Sequence, residues 1–88
     1  MTSQVLRSSR AVCSAIAEGW RKRKYPAHFA SKLTDAESEA EETRVWLEFA
    51  ADCEYLSRDK ASRLDAAYDL VLSQLVTMRN NPEDWAVR

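Results

Sequence analysis

The chain has 88 residues, 45% of them hydrophobic, with one glycine, two prolines and a net charge of −1. That length fits one domain near the lower limit of independent folding, and so few turn residues argue against a loop-rich fold. No apolar run approaches the roughly 20 residues of a transmembrane helix, and the opening MTSQVLRSSRAV lacks the basic and apolar regions of a secretory signal, so the expectation is a soluble, cytoplasmic protein.

Val5, Ser9, Val12, Ile16 and Trp20 recur in steps of three or four, which predicts an amphipathic helix over about residues 2–20, capped by Thr2 or Ser3. Gly19 is expected to weaken its end, and Pro26 forces Tyr25 out of the α region, so a corner lies between them. Pro26 suits the first turn of a second helix, predicted over 27–56. Its seam is Phe29, Leu33, Ala36, Ala40, Thr43, Leu47 and Ala50, spaced alternately by four and three and rich in small residues. A second stripe, Trp46, Phe49, Cys53 and Leu56, widens the apolar surface. Ser57 caps a third helix over 58–80, whose seam is Ala61, Leu64, Tyr68, Val71, Leu75 and Met78, with Ala67 and Leu72 alongside. Arg79, Asn81 and Pro82 end it, and Trp85 reads as a terminal anchor rather than a ligand contact. The fold class is all-α: an up-down helical bundle of three helices, forming a single domain over residues 1–88.

Charge is polarised along the chain. Residues 1–32 hold seven cations against Glu18, residues 33–56 hold eight acids against Arg44, and the remainder balances. Neighbouring helices of opposite sign attract one another, and a basic rim is the functional alternative. Antiparallel helices would offset Cys13 and Cys53 by roughly 28 Å, far beyond the ~7 Å Cα limit of a disulfide, so both are expected to be small buried hydrophobes.

No catalytic site is expected: Glu18, the lone acid of its helix, has no partner carboxylate or His and reads as an ion-pair partner of Arg21 or Lys22. His28 has no metal-ligand spacing around it, DAESEAEET lacks a Glu-x-x-His pair, and one glycine excludes a phosphate loop, so neither a metal nor a cofactor is expected.

Two stretches, RSSRAVCSAIAEGWRKR and FASKLTDAESEAEETRVWLEFAADCEYL, resemble the small bacterial four-helix-bundle family encoded in intervening sequences of large-subunit ribosomal RNA genes, often labelled ribosomal protein. Arg10, Ala11, Ile16, Ala17, Glu18 and Gly19 match its second-helix pattern. Phe29, Leu33, Ala36, Ser38 and Glu41 match the third, Tyr55 and Leu56 its ending pair, and NNPEDW its common terminus. Ala15 stands where the family usually has asparagine. The family's usual first helix would precede Gln4, so the three helices here are expected to be equivalent to helices two to four. The resemblance implies a homo-oligomer, commonly a pentameric ring. The family is distantly similar to the accessory variability protein of diversity-generating retroelements, a basic pentameric barrel that binds nucleic acid and a reverse transcriptase.

Two sites follow. Arg21, Lys22, Arg23 and Lys24 are the candidate nucleic-acid contacts: multiplied around a ring they would form a basic rim for RNA or DNA, although cations also suit a helix C-terminus. Trp46, Phe49, Cys53 and Leu72 are the candidate oligomer interface, because a first helix of about 28 Å cannot cover a middle helix of about 43 Å. The leading function is a non-enzymatic oligomeric scaffold that binds nucleic acid non-specifically. The alternative is a protein-interaction module that recruits a partner with its acidic middle helix.

Overall fold

The structure, a computed structural model, describes residues 2–85, the side chain of Thr2 excepted. Three α-helices follow one another: α1 (Thr2–Arg21), α2 (Pro26–Asp52) and α3 (Arg58–Asn80), then a short 3-10 helix, Pro82–Trp85. There is no strand among the described residues. Contacts such as Ser8 to Thr43 and Lys32 to Glu18 run α1 antiparallel to α2, and Arg44 to Asp65 with Arg79 to Glu37 does the same for α3.

The packing follows from the small residues of the α2 seam. Ala36 and Ala40 are completely buried, and both outer helices lie against α2 while their backbones do not meet. With α1 and α3 each packed on α2, the body is elongated and flat, 48 × 20 × 13 Å measured on Cα atoms. Side chains close the gap: Val12 of α1 and Leu72 of α3 share one cluster with Ala40, flanked by Ile16 and Tyr68. A second cluster joins Phe29, Leu33, Ala36 and Leu75.

Gly19 lies within α1, buried, and α1 continues to Arg21. A Cβ at that position would stand 3.2 Å from Lys32 Cβ and 3.7 Å from the Phe29 ring, so the glycine serves the close approach of α1 to α2 instead of weakening the helix end. One buried polar pair joins the two helices at the same interface. Thr43 Oγ1 donates to Ser8 Oγ at 2.8 Å, and Ser8 Oγ lies 2.9 Å from the Gln4 carbonyl it donates to. The periodicity points to Ser9, but Ser8 is the buried member.

Helix α2 stops at Asp52, four residues short of the expected end. Glu54 N–H donates to the Ala51 carbonyl at 3.1 Å and Tyr55 N–H to the Ala50 carbonyl at 2.9 Å, the paired bonds of a Schellman cap. Tyr55 and Leu56 therefore lie in the loop. The cap places Glu54 in the left-handed region at φ 63°, where glycine is the usual occupant. Ser57 then caps α3, its Oγ accepting from Lys60 N–H at 3.2 Å. Both cysteines are unbridged, as expected, but exposed, contrary to expectation: Cys13 lies on the exposed surface of α1, and Cys53 falls beyond the end of α2.

A left-handed conformation costs a residue with a Cβ about 1 kcal/mol, partly offset by the extra chain entropy of glycine in the unfolded state. Glu54→Gly is therefore expected to stabilise the fold by about 0.5 kcal/mol and to raise the melting temperature by about 2–4 °C at fixed protein concentration. Thermal unfolding followed by circular dichroism checks it.

Candidate nucleic-acid interface

The turn between α1 and α2 is where the candidate cations stand. Lys22 N–H donates to the Gly19 carbonyl at 2.9 Å and Tyr25 N–H to the Lys22 carbonyl at 2.8 Å, so the backbone folds tightly before Pro26 opens α2. Of the four cations, Arg23 alone turns back. Its Nε donates to the Trp20 carbonyl at 2.9 Å, and its guanidinium lies 3.6 Å from the centroid of the Trp20 ring. Arg23 thus caps a helix-end carbonyl and makes a cation–π contact, two uses of a cation expected at a helix C-terminus.

Arg21, Lys22 and Lys24 are exposed at the turn, and none of them has an ion-pair partner among the described residues. This separates them from Arg7, Lys32, Arg44, Arg58, Arg63 and Arg79, each of which meets a carboxylate. Glu18, expected to pair within its own helix, instead reaches across to Lys32 Nζ at 2.9 Å. That hydrogen bond and the lysine charge hold the Glu18 carboxyl below its usual range, with Arg21 and Lys22 adding a weaker pull.

Aromatic rings border the corner. The Trp85 ring lies 6.4 Å from that of Trp20, inclined at 60°, and Tyr25 lies 5.9 Å from His28. Trp85 reaches Trp20 because Asn81 Nδ2 donates to the Thr77 carbonyl at 3.0 Å and Asp84 N–H to the Asn81 carbonyl at 3.2 Å, which turns the chain after α3. Sequence periodicity does not bring Trp20 and Trp85 together. The available signal is the Asn-Pro pair, which marks a turn without giving its direction.

The second candidate site is divided by the structure. Phe49 is 49% exposed, and Cys53 is exposed as well. Trp46 is half-buried, with its ring 5.9 Å from that of Phe49 and its indole N–H donating to Glu42 Oε1 at 3.2 Å. Leu72 does not belong with them. It is buried at 8% exposure in the cluster with Val12 and Ala40, because α3 turns that face toward α2, and it offers little to a second chain.

The acidic run of α2 is largely spent on neighbours within the chain. Glu37 holds Arg79 through two hydrogen bonds of 2.6 and 3.3 Å, Glu42 meets Arg7, and Asp35 meets Lys32. Arg44 crosses to α3, giving Asp65 two hydrogen bonds of 2.7 and 3.1 Å, with Asp69 at 3.4 Å. Those bonds hold the Asp65 carboxyl below the usual carboxylate range, against a smaller opposing effect of partial burial. Among the described residues, no group of three His, Cys, Asp or Glu side chains is placed to hold a metal ion, and no helix is long and apolar enough to cross a membrane.

Fold and site together define a small all-α protein of antiparallel helices with a cationic, aromatic-edged corner. The chain belongs to the 23S rRNA-intervening sequence protein family, whose model matches residues 1–77. This is a family of small helical proteins and not a known enzyme family. Comparisons with curated proteins and with solved structures found no match.

The Asp65 pair carries a pH dependence of definite sign. A carboxyl with a lowered folded-state pKa contributes stability that is present above the unfolded value near 4 and lost as pH falls through the lower folded value. Since the Asp65 side chain is 45% exposed, solvent screening keeps the pair under about 1 kcal/mol. Asp65→Asn should lower the urea midpoint at pH 7 and leave a smaller difference from the parent protein near pH 2.5. An equal loss at both values would mean that packing, and not charge, is responsible.

Proposed function

We propose that this protein is a non-enzymatic, oligomeric helical scaffold of the cytoplasm that contacts RNA or DNA through its α1–α2 corner. The observation carrying the reading is that Arg21, Lys22 and Lys24 stand together at one tight turn, without ion-pair partners among the described residues. Phosphates are the natural partner of such a cluster, and binding of this kind is salt-dependent and weakly sequence-specific. The distant resemblance of the family to a basic pentameric barrel that binds nucleic acid supports the same reading by analogy. The competing reading, recruitment of a protein partner by the acids of α2, is less well supported because many of those acids already pair within the chain.

Replacing Arg21, Lys22 and Lys24 by Gln is expected to leave helicity unchanged and to remove most nucleic-acid affinity. For every phosphate that is no longer neutralised, the plot of log affinity against log salt should flatten by about 0.7–0.9. If the parent protein retains no nucleic acid even at low salt, the cations are solvated helix-end charges and the reading fails.

Assembly rests on the apolar surface at the far end of α2. Phe49, Tyr55 and Val45 are all at least 49% exposed, Trp46 lies beside Phe49, and burial of each large apolar side chain contributes roughly 1.5–3 kcal/mol. Identical chains are the simplest cover, closing with point symmetry, and the family resemblance suggests five of them. Phe49→Glu changes an exposed position and should dissociate the assembly without unfolding the helices. Light scattering at micromolar concentration checks it. A cooperative 10.1 kDa monomer in the parent protein would defeat the assembly argument.

A further inference from the structure

Beside the basic corner, α3 and the 3-10 helix enclose an open groove of about 370 Å³. Trp85 forms one wall, Met78 lines it, and Ser73, Gln74 and Thr77 complete it. We propose that this groove is a nucleobase slot, so that the corner takes single-stranded nucleic acid with an unpaired base against the Trp85 indole. The inference rests on the basic-corner reading and adds to it the kind of strand that is bound.

Three observations converge on a base. The slot pairs a flat indole, 40% exposed, with a methionine thioether, and both surfaces favour an aromatic ring. Its rim is polar: the Gln74 amide is exposed and makes no hydrogen bond to another described residue, leaving a donor and an acceptor for a base edge. The slot is also joined to the cations by direct contact, since Trp85 touches Trp20 and Trp20 carries Arg23 on its ring. A ligand spanning slot and corner must be flat and apolar at one point and anionic a short distance away. A nucleotide has that chemistry, and in a duplex its base would be stacked out of reach. Glu83 and Asp84, which immediately precede Trp85, repel phosphate on their own side.

The test is an anisotropy titration at low salt with labelled oligo-A RNA, oligo-dA, a duplex of equal length and inorganic polyphosphate. Single strands should bind at least about tenfold more tightly than the duplex, with the two single strands separating RNA from DNA as the better ligand. Trp85→Ala should weaken single-strand binding by about five- to a hundredfold and leave polyphosphate binding unchanged. Trp85→Phe should retain most of the affinity, and Glu83→Gln with Asp84→Asn should raise it. Should Trp85→Ala lose helicity, Ser73→Leu, an exposed helix position that fills the slot, replaces it with the same expectation. Equal binding of single strand, duplex and polyphosphate would overturn the slot and leave the basic corner standing. A loss shared equally with polyphosphate would show that Trp85 only braces the corner, and a change in oligomer mass with binding unaffected would make the groove a subunit contact. Either outcome overturns the proposal, and no binding of any probe removes the basic-corner reading as well.

Discussion

Everything in this protein hangs on one helix and on the smallness of what it presents. Ala36 and Ala40, fully buried, let α1 and α3 settle against adjacent sides of α2, and no backbone contact joins those outer helices directly. At small-residue seams the helix axes approach closely, so the packing gain comes from many weak dispersion contacts that any added methylene would disturb. Gly19 extends the constraint to the end of α1, where even a Cβ would crowd Lys32. The orientation of the basic corner is set there, because the turn begins where that close approach ends.

Polar groups complement the seam. The buried Thr43–Ser8 pair links α1 to α2 at one point of the seam, and each hydroxyl also lies beside a carbonyl of its own helix. The outer flanks are bound by Arg44 with Asp65 and by Arg79 with Glu37, partly shielded from water. Opposite charges in successive segments are thus largely used in joining the helices; of the cations without an ion-pair partner among the described residues, Arg10 and Lys60 stand singly, whereas Arg21, Lys22 and Lys24 stand together at the corner.

Helix identity and the α2 seam are legible in the sequence because both depend on local spacing. Phe29, Leu33, Ala36, Ala40, Thr43, Leu47 and Ala50 are all buried as their periodicity requires. Spacing fails where a residue type has two physical uses. The lone glycine has the composition of a helix breaker but serves an interhelical approach, so the end of α2 falls to Glu54, a residue with no sequence signal for a left-handed cap. Leu72 lies beside the expected seam and is buried, while Cys13 and Cys53, small and apolar by type, face outward. In the candidate site the cations are evident from composition. The turning back of Arg23 and the meeting of Trp20 with Trp85 depend on tertiary geometry that no periodicity encodes.

The flat arrangement of the helices also bears on how the chain acquires its shape. Two antiparallel hairpins share α2, and the backbone packing among the three α-helices is confined to neighbours in sequence, with only the short 3-10 helix reaching back to α2. Loop-closure entropy is then small at each step, the condition under which helical proteins fold fastest. Whichever hairpin forms first presents α2 as a ready template for the other, so the order of formation is interchangeable. The Trp20–Trp85 pair is different: it joins the first helix to the last turn of the described chain and can form only after both hairpins have closed. It is the natural last step of folding, since of the ring contacts described it spans by far the longest stretch of chain.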